Sequence, residues 1–144
     1  MQFFETGNLG RTVVIQLTRG DKVIESIDKA LKEAGISSAV MVSGIGSLQK
    51  LHFHWPLDTG PEANDEYTTV EGPIEVGVVS GSYINGIGHY HFVAGDQDNA
   101  YIGHLETDTE VLYLAEFIFA ELKECNLERR FTPQKVRLVF PKDK

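Results

Sequence analysis

Residues 88–106, GHYHFVAGDQDNAYIGHLE, hold three of the chain's five histidines, and the rest of the chain is read outward from them. Side chains on a strand alternate between faces, so His89 and His91, two apart, point the same way. Gly95 to Asn99, GDQDN, has the composition of a turn, and Ala100 to Glu106 reads as the returning strand of a hairpin. His104 shares the face of the pair only if the loop holds an even number of residues, or if a bulge intervenes. A loop centred on Gln97 and Asp98 meets that condition. It sets His91 across from His104 and His89 across from Glu106.

Three imidazoles converging with a fourth position open are the ligand set of a zinc site that accepts water or a small anionic ligand; structural zinc prefers four closed ligands, usually rich in cysteine. His89, His91 and His104 are therefore the candidate metal ligands. Zinc suits them, and imidazole also serves copper, nickel and iron. If bound water acts as a nucleophile, Glu106 or Glu116 is a candidate general base, although a carboxylate beside such a site equally serves to hold an imidazole in place. All five histidines fall between positions 52 and 104, a concentration that argues against accident. His52 and His54, in LHFHW, repeat the same spacing on one strand face opposite Leu51, Phe53 and Trp55. They can add ligands, but the pattern fits better a polar outward face alternating with an apolar inward one.

Working outward, Arg11 to Leu17, RTVVIQL, is β-branched and apolar and reads as a strand. RGDKVIESIDKALKEAG then has Asp21 as a cap, Val23, Ile24, Ile27, Leu31 and Ala34 at helical spacing, and Gly35 as a terminator. Ile36 to Gly44 predicts a second strand, broken at Gly44 and Gly46 before another over Leu48 to Trp55. SGIGSL is not read as a phosphate loop, because that motif needs a strand running into a helix and here strand pattern flanks both sides. Leu57 to Asn64 is an acidic, turn-rich surface loop. Tyr67 to Val70 and Ile74 to Ile84 read as strands, the second with Gly77 and Gly81 marking a bulge or a close backbone approach. Glu110 to Leu122 is read as strand from its β-branched and aromatic content, ahead of a closing strand over Val136 to Phe140. Its apolar residues exceed what one face buries, which points to a subunit interface. The Arg129–Arg130 pair reads as a solvated turn.

A chain of 144 residues with 42% hydrophobic and 24% charged side chains is the size and composition of one globular domain, here taken as residues 1–144. The single cysteine, Cys125, excludes an intrachain disulfide and a cysteine-based zinc cluster, in keeping with a cytoplasmic protein. No signal peptide or membrane-spanning run is read in the sequence. A net charge of −8 repels phosphate backbones, and the dispersed basic residues form no nucleic-acid patch.

The fragments RGD at 19–21, SGIGS at 43–47, GPIEVGVVSGSY at 72–83, HYH at 89–91 and GHL at 103–105 stand in an order and spacing that resemble the plants and prokaryotes conserved domain. This is the module found beside AT-hooks in plant proteins, and the resemblance covers most of the chain. It implies an α+β fold, a mainly antiparallel sheet flanked by helix, and a homotrimer whose subunits pack sheet against neighbour. It also implies metal ligation by the HxH and GHL histidines, which here are His89, His91 and His104. The family's DNA-binding label, and with it a transcription-associated regulatory role, derives from the adjacent AT-hooks. This chain has no Arg-Gly-Arg hook and no basic tail.

Overall fold

The computed structural model describes residues 1–143. Its elements are β1 (Leu9–Thr18), α1 (Val23–Glu33), β2 (Ala39–Pro56), β3 (Asp65–Ile84), β4 (Ile87–Gly95), β5 (Ala100–Leu105), β6 (Glu110–Leu122), β7 (Leu127–Phe131) and β8 (Arg137–Pro141). The fold is α+β, dominated by antiparallel sheet with one helix. Six strands form a sheet in the order β1-β6-β2-β3-β4-β5, and β5 pairs a second time with β2. Strands β2, β3, β4 and β5 thus close into a small barrel, which leaves no free edge on that side. β7 and β8 form a separate two-stranded ribbon.

The core lies between α1 and the sheet and continues into the barrel. Val23, Ile27 and Leu31 of α1 are buried with Ile15 and Leu17 of β1, Phe117 and Phe119 of β6 and Tyr90 and Phe92 of β4. Asp21 does not cap the helix. The cap position is Lys22, with no side-chain bond, and the Asp21 carboxylate instead accepts the Thr18 amide at 2.8 Å, closing the turn out of β1. The other end stops as its sequence requires. Gly35 takes φ +67°, its amide reaches Lys32 O at 3.0 Å, and the Ile36 amide reaches Leu31 O at 2.9 Å, a paired C-terminal lock with Ile36 and Leu31 both buried.

Gly44 and Gly46 do not break the second strand. β2 runs unbroken for 18 residues, with register shifts against β6 around both positions. A β-carbon on Gly46 would lie 2.6 Å from Ala115 Cα, so the glycine permits a close crossing of β6 rather than an interruption. The two strands expected over 67–84 are likewise one, β3, 20 residues long. Its register against β4 shifts at Gly77, the bulge the sequence suggested. Long coiled strands with bulges are what allow so few strands to close a barrel.

Candidate metal centre

The β4–β5 hairpin closes through a four-residue loop. Gly95 pairs with Ala100, and Asp96 Oδ1 accepts the amides of Asp98 and Asn99, each at 2.8 Å. Even loop length sets His91 directly across from His104. The expected pairing of His89 with Glu106 does not form. The β4–β5 ladder ends at His91, and the Glu106 amide turns to His52 O at 2.9 Å on β2. The cause is the second partner of β5: Leu105 and His104 pair with Phe53 and His54, which draws the chain beyond Leu105 towards β2. Thr109, fully buried, fixes this turn by accepting the His52 amide at 3.1 Å and sharing its hydroxyl proton between the carbonyls of Glu106 and His52.

One row of imidazoles therefore crosses three strands, His54 on β2, His104 on β5 and His91 on β4, with His89 a step further along β4. His54 stacks on His104 with ring centroids 4.4 Å apart, and His104 lies 4.9 Å from His89 and 5.4 Å from His91. The sequence placed His54 on a polar outward face. It does face outward from the barrel, and that face is the site. His52 faces the same way but bonds through Nδ1 to Thr107 O at 2.9 Å. Leu51 and Phe53 fill the barrel as expected, whereas Trp55 is 39% exposed at the mouth of the cleft.

Glu106 joins two of the rings. Its Oε1 lies 2.7 Å from His54 Nδ1 and 2.9 Å from His104 Nδ1, the second contact too bent for a well-formed hydrogen bond. Burial pushes the Glu106 carboxyl up, but the two imidazoles outweigh burial and hold it below the usual carboxylate range. The hydrogen bond to His54 Nδ1 directs that ring's proton there and leaves its Nε2 as a lone-pair donor, and the same carboxylate faces His104 Nδ1. Among the described residues, the donor atoms of His54, His104 and Glu106 make a group lying wholly within 4.8 Å. His89 and His91 stand beside it as a second pair, Nε2 to Nε2 at 3.1 Å. Two nitrogens on a tetrahedral zinc lie about 3.3 Å apart, given Zn–N bonds of about 2.0 Å. The donor set thus fits a metal of that kind. Burial, followed by the neighbouring His104 and Arg129, lowers the His89 pKa to about 4, and burial with neighbouring histidines lowers that of His91. Both rings are neutral at neutral pH, as metal ligands must be. Glu116 does not line the cleft; it sits on β6 between Gln16 and Ile45.

A residue that the sequence reading placed in a solvated turn adjoins the site through His89. Arg129 is on a strand, β7, not in a turn; its Nη2 donates to Ser82 Oγ at 2.7 Å and its Nη1 to His89 Nδ1 at 3.3 Å. The alternation of Arg129 and Phe131 against Arg137 and Val139 was the signal available for this ribbon. Folded over the histidines, the ribbon makes a cleft of about 590 Å³ whose floor is His54, His89, His91 and His104.

These features define a class, a small antiparallel α+β protein with a histidine and glutamate group able to hold a metal. The chain belongs to the Plants and Prokaryotes Conserved (PCC) domain family, whose sequence profile matches residues 4–123. It is similar to a plant- and prokaryote-conserved protein from Pyrococcus horikoshii, at 24% identity, a TM-score of 0.83 and 100% coverage of both chains. A metal-containing protein from Archaeoglobus fulgidus is 25% identical with a TM-score of 0.79, over 96% of this chain and 99% of that one. A Bacteroides thetaiotaomicron protein provisionally named as DNA-binding is 20% identical with a TM-score of 0.77, over 94% and 96%. No curated protein matches the chain.

Proposed function

We propose that the protein is a homotrimeric metal-binding domain in which zinc is held by His89, His91 and His104, with His54 stacked alongside and a coordination position open to water or a small anion. The observation that carries this reading is the convergence of four imidazoles on one cleft, two of them with Nε2 atoms 3.1 Å apart and two oriented by Glu106. The metal content of the Archaeoglobus relative supports it. A bound zinc supplies an electrophilic position; Glu106, engaged by two imidazoles, serves to orient them rather than as a free base.

Trimer formation is supported by an apolar row on the same outer face. Val78, Val93 and Ile102 lie side by side on β3, β4 and β5, exposed by 43%, 45% and 67%. Monomers rarely leave such rows to solvent. No described helix is long and apolar enough to cross a membrane, and a cytoplasmic setting suits the lone Cys125. Binding to DNA, the family's other label, is disfavoured by the net charge of −8.

The test is metal content per chain by plasma mass spectrometry on untagged protein, beside His91→Ala. Near-stoichiometric zinc that the variant loses supports the reading. Protein that takes up no metal even on reconstitution overturns it.

A further inference from the structure

The ribbon of β7 and β8 lies beyond the stretch that matches the family profile, yet it supplies one wall of the cleft. Its two faces differ in how their arginines are paired. Arg130, on the face away from the cleft, has Glu128 at 3.1 Å and Asp143 at 3.2 Å. On the face towards the histidines, Phe131 pairs with Arg137 and Arg129 with Val139, which makes Arg129 and Arg137 diagonal neighbours. Neither has a carboxylate partner among the described residues. The Arg137 guanidinium lies over the Phe131 ring at 4.3 Å, and Arg129 is half-buried with Nε unpaired.

Two unpaired guanidiniums beside a metal-ligand cluster call for an anion, because planar guanidinium forks match carboxylate and phosphate oxygens. Beyond the histidines and Glu106, the cleft presents Asp65 and Lys135 together with a larger set of apolar and aromatic side chains. Trp55, Tyr67, Ile102, Phe131 and Val136 line it, and about 590 Å³ is within the usual size of a small-molecule site. Arg129 is also tied to the metal question. When it donates to His89 Nδ1, the neutral ring carries its proton on Nε2, which here faces His91 Nε2 at 3.1 Å. A protonated Nε2 cannot bind a metal, so the Arg129–His89 bond and ligation through His89 Nε2 exclude one another.

We propose that Arg129 and Arg137 form the recognition wall for the phosphate or carboxylate head of a small ligand with a flat apolar body, and that Arg129 exchanges His89 for this anion when metal occupies the site. The ligand class rests on the metal-site reading above only in its second clause.

The experiment is calorimetric titration of untagged protein with zinc, and of the zinc-loaded and zinc-free forms with phenyl phosphate, benzoate and inorganic phosphate. Arg137→Gln, Arg129→Gln and Arg129→Lys are compared with wild type. Arg137 is exposed, so its substitution leaves the fold intact. Wild type should bind one aromatic anion at least tenfold more tightly than inorganic phosphate, and which of the two wins identifies the head group. Arg137→Gln should weaken that anion at least tenfold with zinc affinity within twofold of wild type. Arg129→Gln should weaken the anion likewise and bind zinc severalfold more tightly, the opposite sign to a merely structural loss; Arg129→Lys should recover part of the anion affinity. Zinc binding without preference for an aromatic anion, or anion affinity indifferent to both arginines, overturns the recognition wall and leaves the metal centre standing. Anion binding that needs Arg137 in a protein that takes no zinc upholds the wall and overturns the metal reading.

Discussion

Glu106 Oε1 sits between His54 and His104, 2.7 Å from one Nδ1 and 2.9 Å from the other, on a turn that the second pairing of β5 pulls towards β2. The carboxylate thus sets the tautomer of His54 through its hydrogen bond and lies against the Nδ1 of His104. Glu106→Gln keeps the shape, loses the charge and presents a weaker acceptor. Outer partners of metal-ligating histidines are typically worth about 10–100-fold in metal affinity. Zinc affinity in competition with a chromophoric chelator should therefore fall by about that factor, with far-ultraviolet circular dichroism unchanged. An affinity equal to wild type would show that Glu106 does not position His104.

Gly81 permits a close approach of β3 and β4 beneath the site. Its φ is +150°, and a β-carbon there would lie 2.0 Å from His89 O. The Gly81→Ala variant must push β4 away at the residue that carries a proposed ligand. Overpacking of this kind costs about 1–3 kcal/mol. The unfolding midpoint in urea should drop accordingly, and zinc affinity should fall with it. A neutral substitution would mean the strands part without cost.

Val93 lies between Val78 and Ile102 in the exposed apolar row. A charge there should abolish the proposed assembly without touching the core, because the residues behind it, Phe92 and Ala94, face inward. Val93→Glu is expected to elute as a folded monomer by light scattering at concentrations where wild type is trimeric. An unchanged trimer would place the interface elsewhere, for which β1, β2 and β6 also expose large apolar residues, among them Val14, Val42, Ile45, Tyr113 and Leu114.

The hairpin and the His91–His104 pairing were legible because they depend on local parity, alternation of faces and an even loop, which sequence states directly. The α+β class, the helix face and the glycine lock at its end follow from local rules of the same kind. What was missed depends on contacts distant in sequence. That His54 meets His104 requires β5 to pair with β2 across some fifty residues, and no local pattern encodes that closure. Glu106 was set opposite His89 because the ladder was extended two pairs too far, past the point where this second pairing takes over. Arg129 was read as a turn because its partner strand lies across a loop that carries Pro133, and its role appears only once the ribbon folds over the site. Gly44 and Gly46 show the converse error, local breakers that the tertiary crossing uses instead as contact points.

Asp28, on α1, carries a Oδ1 atom that is buried without a hydrogen-bond partner. Burial, then repulsion from Glu25, raises its pKa from 3.8 to about 6, and its charge also acts on the nearby hydroxyls of Tyr83 and Tyr90. A carboxyl with a raised pKa binds its proton more tightly in the folded protein than in the unfolded chain. Its contribution to stability is thus fully present below the unfolded value of 3.8, declines as pH rises through about 6, and is lost above that. A shift of about two units corresponds to at most about 3 kcal/mol, and solvent screening of a half-buried group reduces this to about 1 kcal/mol. Asp28→Asn removes the charge while keeping the shape. At pH 7.5 the variant should be more stable than wild type by about 1 kcal/mol, with the gain vanishing towards pH 4. Urea unfolding of metal-free protein at four pH values between 4 and 7.5 measures this directly. A difference between variant and wild type that does not change with pH would show that Asp28 titrates alike in the folded and unfolded chains.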